Sequence, residues 1–255
     1  VRRIVRTYAH RFATFEMTEA PENQGLMRSL RSGIDQVLEG ADRIVVLEDD
    51  LVTEPGFLEY IQGALDHYQD HPQVGSVTGY QYPLADELRD SSSQTLFFPR
   101  FNCWGWGTWK DRWKAIDWQL PTHEELLKDR ALFARLWAAS NDLPEILLER
   151  IDGQNQSWAI QVALDHVVRG AYAVYPPWSL VKNIGMDGTG THFRSDNGPW
   201  DPSSAQKFQT TLHSGASTIE FSEDADPGRI ARYLALVANS PGRRLKNWLR
   251  YGRFF

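Results

Sequence analysis

The chain has 255 residues and a formal net charge of −6. It is long enough to bury a substantial core, as one large domain or two closely packed lobes, and too acidic to present a broad basic field to nucleic acid. Its single cysteine, Cys103, excludes an intrachain disulfide and fits a reducing, cytoplasmic compartment. No apolar run approaches the roughly 20 residues of a membrane span, and Val1-Arg2-Arg3-Ile4-Val5-Arg6 lacks the apolar stretch of a secretion signal.

In chain order, the turn-forming Pro21-Glu22-Asn23-Gln24-Gly25 precedes Leu26, Leu30, Ile34, Val37 and Leu38, whose spacing predicts a helix. Arg28 and Arg31, three apart on one face of it, are candidates for neutralising a phosphate, or else belong to a solvated face. The β-branched run at 44–47 predicts a buried strand, which ends in Glu48-Asp49-Asp50. A second helix is expected to open near Thr53-Glu54-Pro55, with Phe57, Leu58, Ile61, Leu65 and Tyr68 as its apolar face. Val74–Thr78 reads as another strand. Helix, strand, helix, strand at this spacing predicts a mostly parallel α/β sheet.

The pattern changes after Tyr82. A polar stretch through Ser91-Ser92-Ser93 leads to Leu96-Phe97-Phe98-Pro99 and to Trp104-Gly105-Trp106-Gly107-Thr108-Trp109, which holds three of the ten tryptophans. Tryptophans so spaced with glycine suit a shaped loop, where an indole can stack on a sugar ring, although core packing is the commoner fate of tryptophan. Cys103 beside it reads as a small buried filler. Residues 123–150 look helical, a helix is expected at 158–168 and a strand at 171–175. A Gly-rich loop covers 183–192. The basic aromatic tail at 243–255 reads as a helix packed on the domain or as a peripheral contact with the inner face of an anionic membrane.

Three adjacent carboxylates at the end of a buried strand are hard to explain as structure alone, because like charges repel and burial makes each costlier. A divalent cation removes both penalties, and hard oxygen ligands suit Mg²⁺ or Mn²⁺ together with substrate phosphates. The alternative is a solvated acidic turn.

Here a resemblance enters. Val45-Val46-Leu47-Glu48-Asp49-Asp50-Leu51, followed by Pro55-Gly56-Phe57-Leu58-Glu59-Tyr60, resembles the metal-site strand and helix of GT-A glycosyltransferases, the N-acetylglucosaminyltransferase I-like enzymes and related bacterial sugar transferases in particular. Asn23-Gln24-Gly25 resembles their N-x-G turn. The Gly/Trp run resembles the loop that closes over donor and acceptor, and the stretch from Tyr175 through Gly190-Thr191-His192-Phe193 resembles their closing segment. The resemblance implies a GT-A fold with a Rossmann-like sheet flanked by helices. Residues 1–99 would form a partial nucleotide-sugar-binding region, and residues 100–255 the acceptor-binding and closing region of the same domain.

It further implies an inverting transfer from a nucleotide-sugar donor to a glycan or other hydroxyl acceptor, in bacterial glycan or polysaccharide synthesis. Asp50 and His192 would hold Mn²⁺ or Mg²⁺. Glu48, Asp49, Asn23, Arg31 and Trp106 would serve the donor, and Trp104 and Trp109 the acceptor. Two departures stand out. Too few residues precede Glu22 for the first strand-helix unit of such enzymes, so an N-terminally shortened chain is expected, with at most one strand, at 12–15. The catalytic carboxylate near the Trp158 helix is not plainly filled. Asp152 is the nearest candidate base, or else a helix cap, and Asp187 is its rival. Two other functions fit parts of the pattern. One is a glycan- or nucleotide-binding module that does not catalyse. The other is a nucleotidyltransferase, for which the Gly-rich N-terminal phosphate loop is missing.

Overall fold

The computed structural model describes residues 2–82, 93–185, 218–225, 248, 249 and 251. The chain divides into two units, Val1–Gly40 and Ala41–Phe255. The first holds α1 (Arg2–Tyr8), a 3-10 turn (Ala9–Arg11) and the amphipathic α2 (Leu26–Gly40), which buries Ile34 and Leu38. No strand forms at 12–15, where the chain bends directly after the 3-10 turn. Within this unit Arg6 pairs with Glu19, which ties α1 to the segment ahead of α2.

The second unit is built on a five-stranded sheet of order β1-β5-β3-β6-β4. Its strands are β1 (Arg43–Val46), β3 (Val74–Thr78), β4 (Leu96–Phe98), β5 (Trp106–Trp109) and β6 (Tyr172–Tyr175). The expected Rossmann-like, mostly parallel GT-A sheet is not what forms. β3 and β6 make the one parallel pair, and the other three pairings are antiparallel. The reason lies in the Gly/Trp run. Its last four residues are strand β5, inserted antiparallel between β1 and β3, so the two strands expected to be neighbours never meet. β1 is consequently an edge strand and only half-buried.

Gly107 permits the insertion. A Cβ there would stand 3.0 Å from the Ile44 carbonyl and 3.0 Å from Leu65, so only glycine lets β1 and the helix over it close on β5.

A separate two-stranded sheet pairs β2 (Leu51–Thr53) with β7 (Val181–Asn183). Thr53 belongs to this ribbon, so the next helix, α3 (Phe57–His67), starts later than the capping signal suggests, after Gly56 at φ 93°. α3 covers one face of the main sheet with Phe57, Tyr60, Ile61, Ala64 and Leu65. α8 (Ala159–Arg169) covers the other, its His166 ring lying where a Cβ of Gly75 would be.

Between β5 and α8 run α4 (Lys110–Lys114), α5 (His123–Lys128), α6 (Arg130–Ala139) and α7 (Leu143–Ile151). The helical stretch expected at 123–150 is thus three helices. Asp129 interrupts it by capping α6 at the Leu132 N–H, and Pro144 opens α7. Among the described residues no helix is long and apolar enough to cross a membrane. Of the tail at 243–255, Trp248, Leu249 and Tyr251 alone are described, the first two exposed and Tyr251 buried.

Candidate functional site at the acidic strand end

The three carboxylates form the turn from β1 into β2, closed by a hydrogen bond from the Leu51 N–H to the Glu48 carbonyl. The β2–β7 ribbon then carries this turn to the start of the Gly-rich loop. The Ile184 N–H donates to the Asp50 carbonyl at 2.8 Å, and the Gly185 N–H donates to Asn183 Oδ1 at 2.8 Å. The Asp50 carboxylate lies directly on the Gly185 backbone, where a Cβ would come within 2.6 Å of Asp50 Oδ2. Asp50 Oδ1 is buried and has no hydrogen-bond partner. A buried carboxylate oxygen left unpaired is expensive and calls for a cation or a donor.

Glu48 faces the next layer. Burial, then the neighbouring Asp50 and Asp49 charges, raise its carboxyl from 4.5 to about 7, partly offset by a hydrogen bond with the Cys103 side chain. Burial and the Glu48 carboxylate in turn push the Cys103 thiol well up, so it is no nucleophile at neutral pH. Cys103 is also a neighbour of the acidic turn. Trp104, the next residue, is half-buried. Its ring meets Tyr80 edge-on at 4.6 Å, and its backbone N–H donates to Asn102 Oδ1. Gly105, at φ 59°, then turns the chain into β5.

A raised Glu48 carboxyl has a consequence for stability. The neutral acid suits the fold, so its contribution is fully present below about 4.5 and is lost as pH rises through about 7. After discounting for partial exposure, the ionised group costs about 1 to 2 kcal/mol at pH 8 without a cation. Glu48→Gln is therefore expected to raise the urea midpoint at pH 8 in the presence of a chelator, with no change at pH 4. Equal midpoints at pH 8 would rule this out.

The other expected residues lie elsewhere. Asn23 forms a turn inside the first unit, accepting from the Gly25 N–H at 2.9 Å with Gly25 at φ 77°. Arg31 lies on α2, 3.9 Å from the Asp35 carboxylate, on an exposed face. Trp106 and Trp109, 1% and 3% exposed, belong to the core on opposite faces of β5. Trp106 packs on Phe101, Trp113 and Trp158, and Trp109 donates its indole N–H to the Leu65 carbonyl. Neither presents an open face for a sugar. Asp152 ends α7 and hydrogen-bonds His123 Nδ1 at 2.9 Å. Asp187 and His192 lie outside the described residues.

The three carboxylates do not converge on one point. Among the described residues, the one set of three His, Cys, Asp or Glu side chains whose ligand atoms all lie within 4.8 Å of one another is His67, His71 and Glu223. The His-x-x-x-His spacing was the sequence signal for it. Compared with known proteins, the chain matches no protein-family model and no curated protein.

Proposed function

We propose that the protein transfers a sugar from a nucleoside-diphosphate sugar to an acceptor hydroxyl with the help of Mn²⁺ or Mg²⁺. The observation that supports this reading is the unpaired, buried Asp50 Oδ1 in a run of three carboxylates lying against Gly185. Mg²⁺ and Mn²⁺ suit a site with one or two protein carboxylates, because waters and substrate phosphates complete the shell. When bound, such an ion offsets the charge that builds on a departing nucleoside diphosphate.

The chain's own residues do the rest. Asp50 anchors the site. Glu48 and Asp49 offer acceptors to the hydroxyls of the donor's ribose and sugar. Trp104, half-buried beside the acidic turn, offers an indole face to a sugar ring. A side chain at 185 would collide with the Asp50 carboxylate, so glycine lets that carboxylate keep its place. In this reading the protein works in a reducing compartment, where its one cysteine stays a thiol.

The Asp152–His123 pair favours a second reading. A base occupied by a hydrogen bond, at a helix end, fits a module that binds the donor or a glycan without turning it over. The deciding experiment incubates the chain with Mn²⁺, a panel of nucleotide sugars and simple glycosides, and follows products by mass spectrometry. A glycosylated product that disappears in Asp50→Ala is the expected result. Donor or glycoside binding without product selects the binding module, and absence of both Mn²⁺-dependent donor binding and glycoside binding overturns both.

A further inference from the structure

A second cluster, away from the acidic strand end in sequence, has the chemistry of a different metal. His67 is the last residue of α3 and His71 follows one turn later, fixed by the His71 N–H to the Tyr68 carbonyl. The two imidazoles stack 5.6 Å apart at 18°. Glu223 reaches them from the segment at 218–225. Its Oε1 is 3.1 Å from His67 Nε2 and its Oε2 is 3.3 Å from His71 Nε2.

The position of Glu223 is not left to its own side chain. Ser222 donates its N–H to Thr95 Oγ1 at 2.9 Å and its hydroxyl to the Thr95 carbonyl at 2.8 Å. The buried Tyr68 hydroxyl donates to the Ser222 carbonyl at 2.8 Å. Phe221 packs against Tyr60, His67 and Tyr68, and its ring fills the notch left by Gly63. The carboxylate is thus delivered to the two rings by the two residues that precede it. His67 Nε2 is buried and makes no hydrogen bond, although Glu223 lies so close. A buried ring nitrogen without a hydrogen bond is costly and is free to ligate an ion.

We propose that His67, His71 and Glu223 bind a divalent transition-metal ion of the Zn²⁺ type, with water in the fourth position. Two imidazoles and a carboxylate form a borderline donor set, which suits Zn²⁺ and not the hard ions fitted to Asp50. Glu223 sets one oxygen 3.1 Å from His67 Nε2 and the other 3.3 Å from His71 Nε2, and one ligand atom from each of the three residues lies within 4.8 Å of the other two, close enough to share one ion. The bound ion fastens the segment at 218–225 to the end of α3, so metal binding also stabilises the fold.

The test uses the full chain, stripped with a chelator, and titrates Zn²⁺ against a chromophoric competitor, with Co²⁺ absorption as a report of coordination geometry. One Zn²⁺ per chain, intense tetrahedral Co²⁺ bands and a raised melting temperature are expected. His67→Ala is expected to weaken Zn²⁺ binding by more than the roughly 100-fold that marks the upper range for losing an outer-shell partner. Glu223 is exposed, so Glu223→Gln tests the same site with little risk to folding. Asp50→Ala serves as the control and should bind Zn²⁺ as the unaltered chain does. No stoichiometric Zn²⁺ binding by the unaltered chain, or equal binding in Glu223→Gln, overturns the proposal without touching the sugar-transfer reading.

Discussion

Asp50→Ala is expected to weaken Mn²⁺-dependent binding of a nucleoside diphosphate by roughly 100-fold or more, about 2.7 kcal/mol or more, while leaving the fold intact. The two halves of that expectation come from different atoms. The backbone of Asp50 does the structural work, through its carbonyl and the Ile184 N–H, and alanine keeps it. The carboxylate does none that the structure reveals. Its Oδ1 is unpaired and it sits beside two further negative charges, so removing it relieves repulsion in the metal-free protein. Calorimetry with and without Mn²⁺ measures the first half and a metal-free melting curve the second. An affinity equal to that of the unaltered chain would sink the metal assignment. A melting temperature well below it would mean that the carboxylate has a structural partner.

The second large effect concerns His166, which is buried under α8 against Gly75 and 5.6 Å edge-on from Phe101. Burial first, and then the Arg169 charge, lower its imidazole from 6.5 to about 3. The unfolded chain therefore takes up a proton near pH 6.5 that the fold refuses until near pH 3. The stability owed to this residue is fully present above about 6.5 and drains as pH falls toward 3, by about 1.4 kcal/mol per pH unit. His166→Leu keeps an apolar group in the space and cannot be protonated. Its urea midpoint should fall less steeply than that of the unaltered chain between pH 6 and pH 4, where the two curves must converge or cross. Parallel curves would show that His166 takes up its proton in the folded protein as readily as in the unfolded chain. The comparison isolates His166 because carboxylates titrate in both proteins, and Glu48 shifts stability in the opposite direction over part of the range.

Local features were legible in the sequence to the extent that local physics decides them. β3 has the bounds its β-branched run predicts, and α2 and α8 follow their apolar spacing to within a residue or two. The turn at Asn23 forms as an Asn side chain and a following glycine dictate. The acidic turn does stand at the end of β1. The sheet order was not legible, because it depends on which strand inserts between which. Nothing in Trp-Gly-Thr-Trp announces that its glycine must admit the backbone of a strand some distance earlier in the chain. Glycine is a poor strand former in isolation, so the run read as a loop. The fate of Trp106 was hidden for the same reason, since its neighbours Trp113 and Trp158 meet it only through the tertiary fold. The pairing of His67 and His71 with Glu223 was not read from the sequence, because the carboxylate comes from a segment no periodicity connects to them.

The β2–β7 ribbon sets a condition on how the protein comes into being. Leu51 pairs with Asn183 and Thr53 with Val181, so the acidic turn meets its glycine only through two segments far apart in the chain. During synthesis the carboxylates leave the ribosome long before their partner strand does. Until then Asp50 remains hydrated and exposed, and its repulsion with Glu48 and Asp49 is relieved by water rather than by the fold. Closing so long a loop carries an entropic cost, and the same closure completes the core under α3, to which Leu180 and Val181 belong. A nascent chain halted ahead of Val181 would therefore carry the whole acidic run and still lack the strand that brings Ile184 and Gly185 against Asp50.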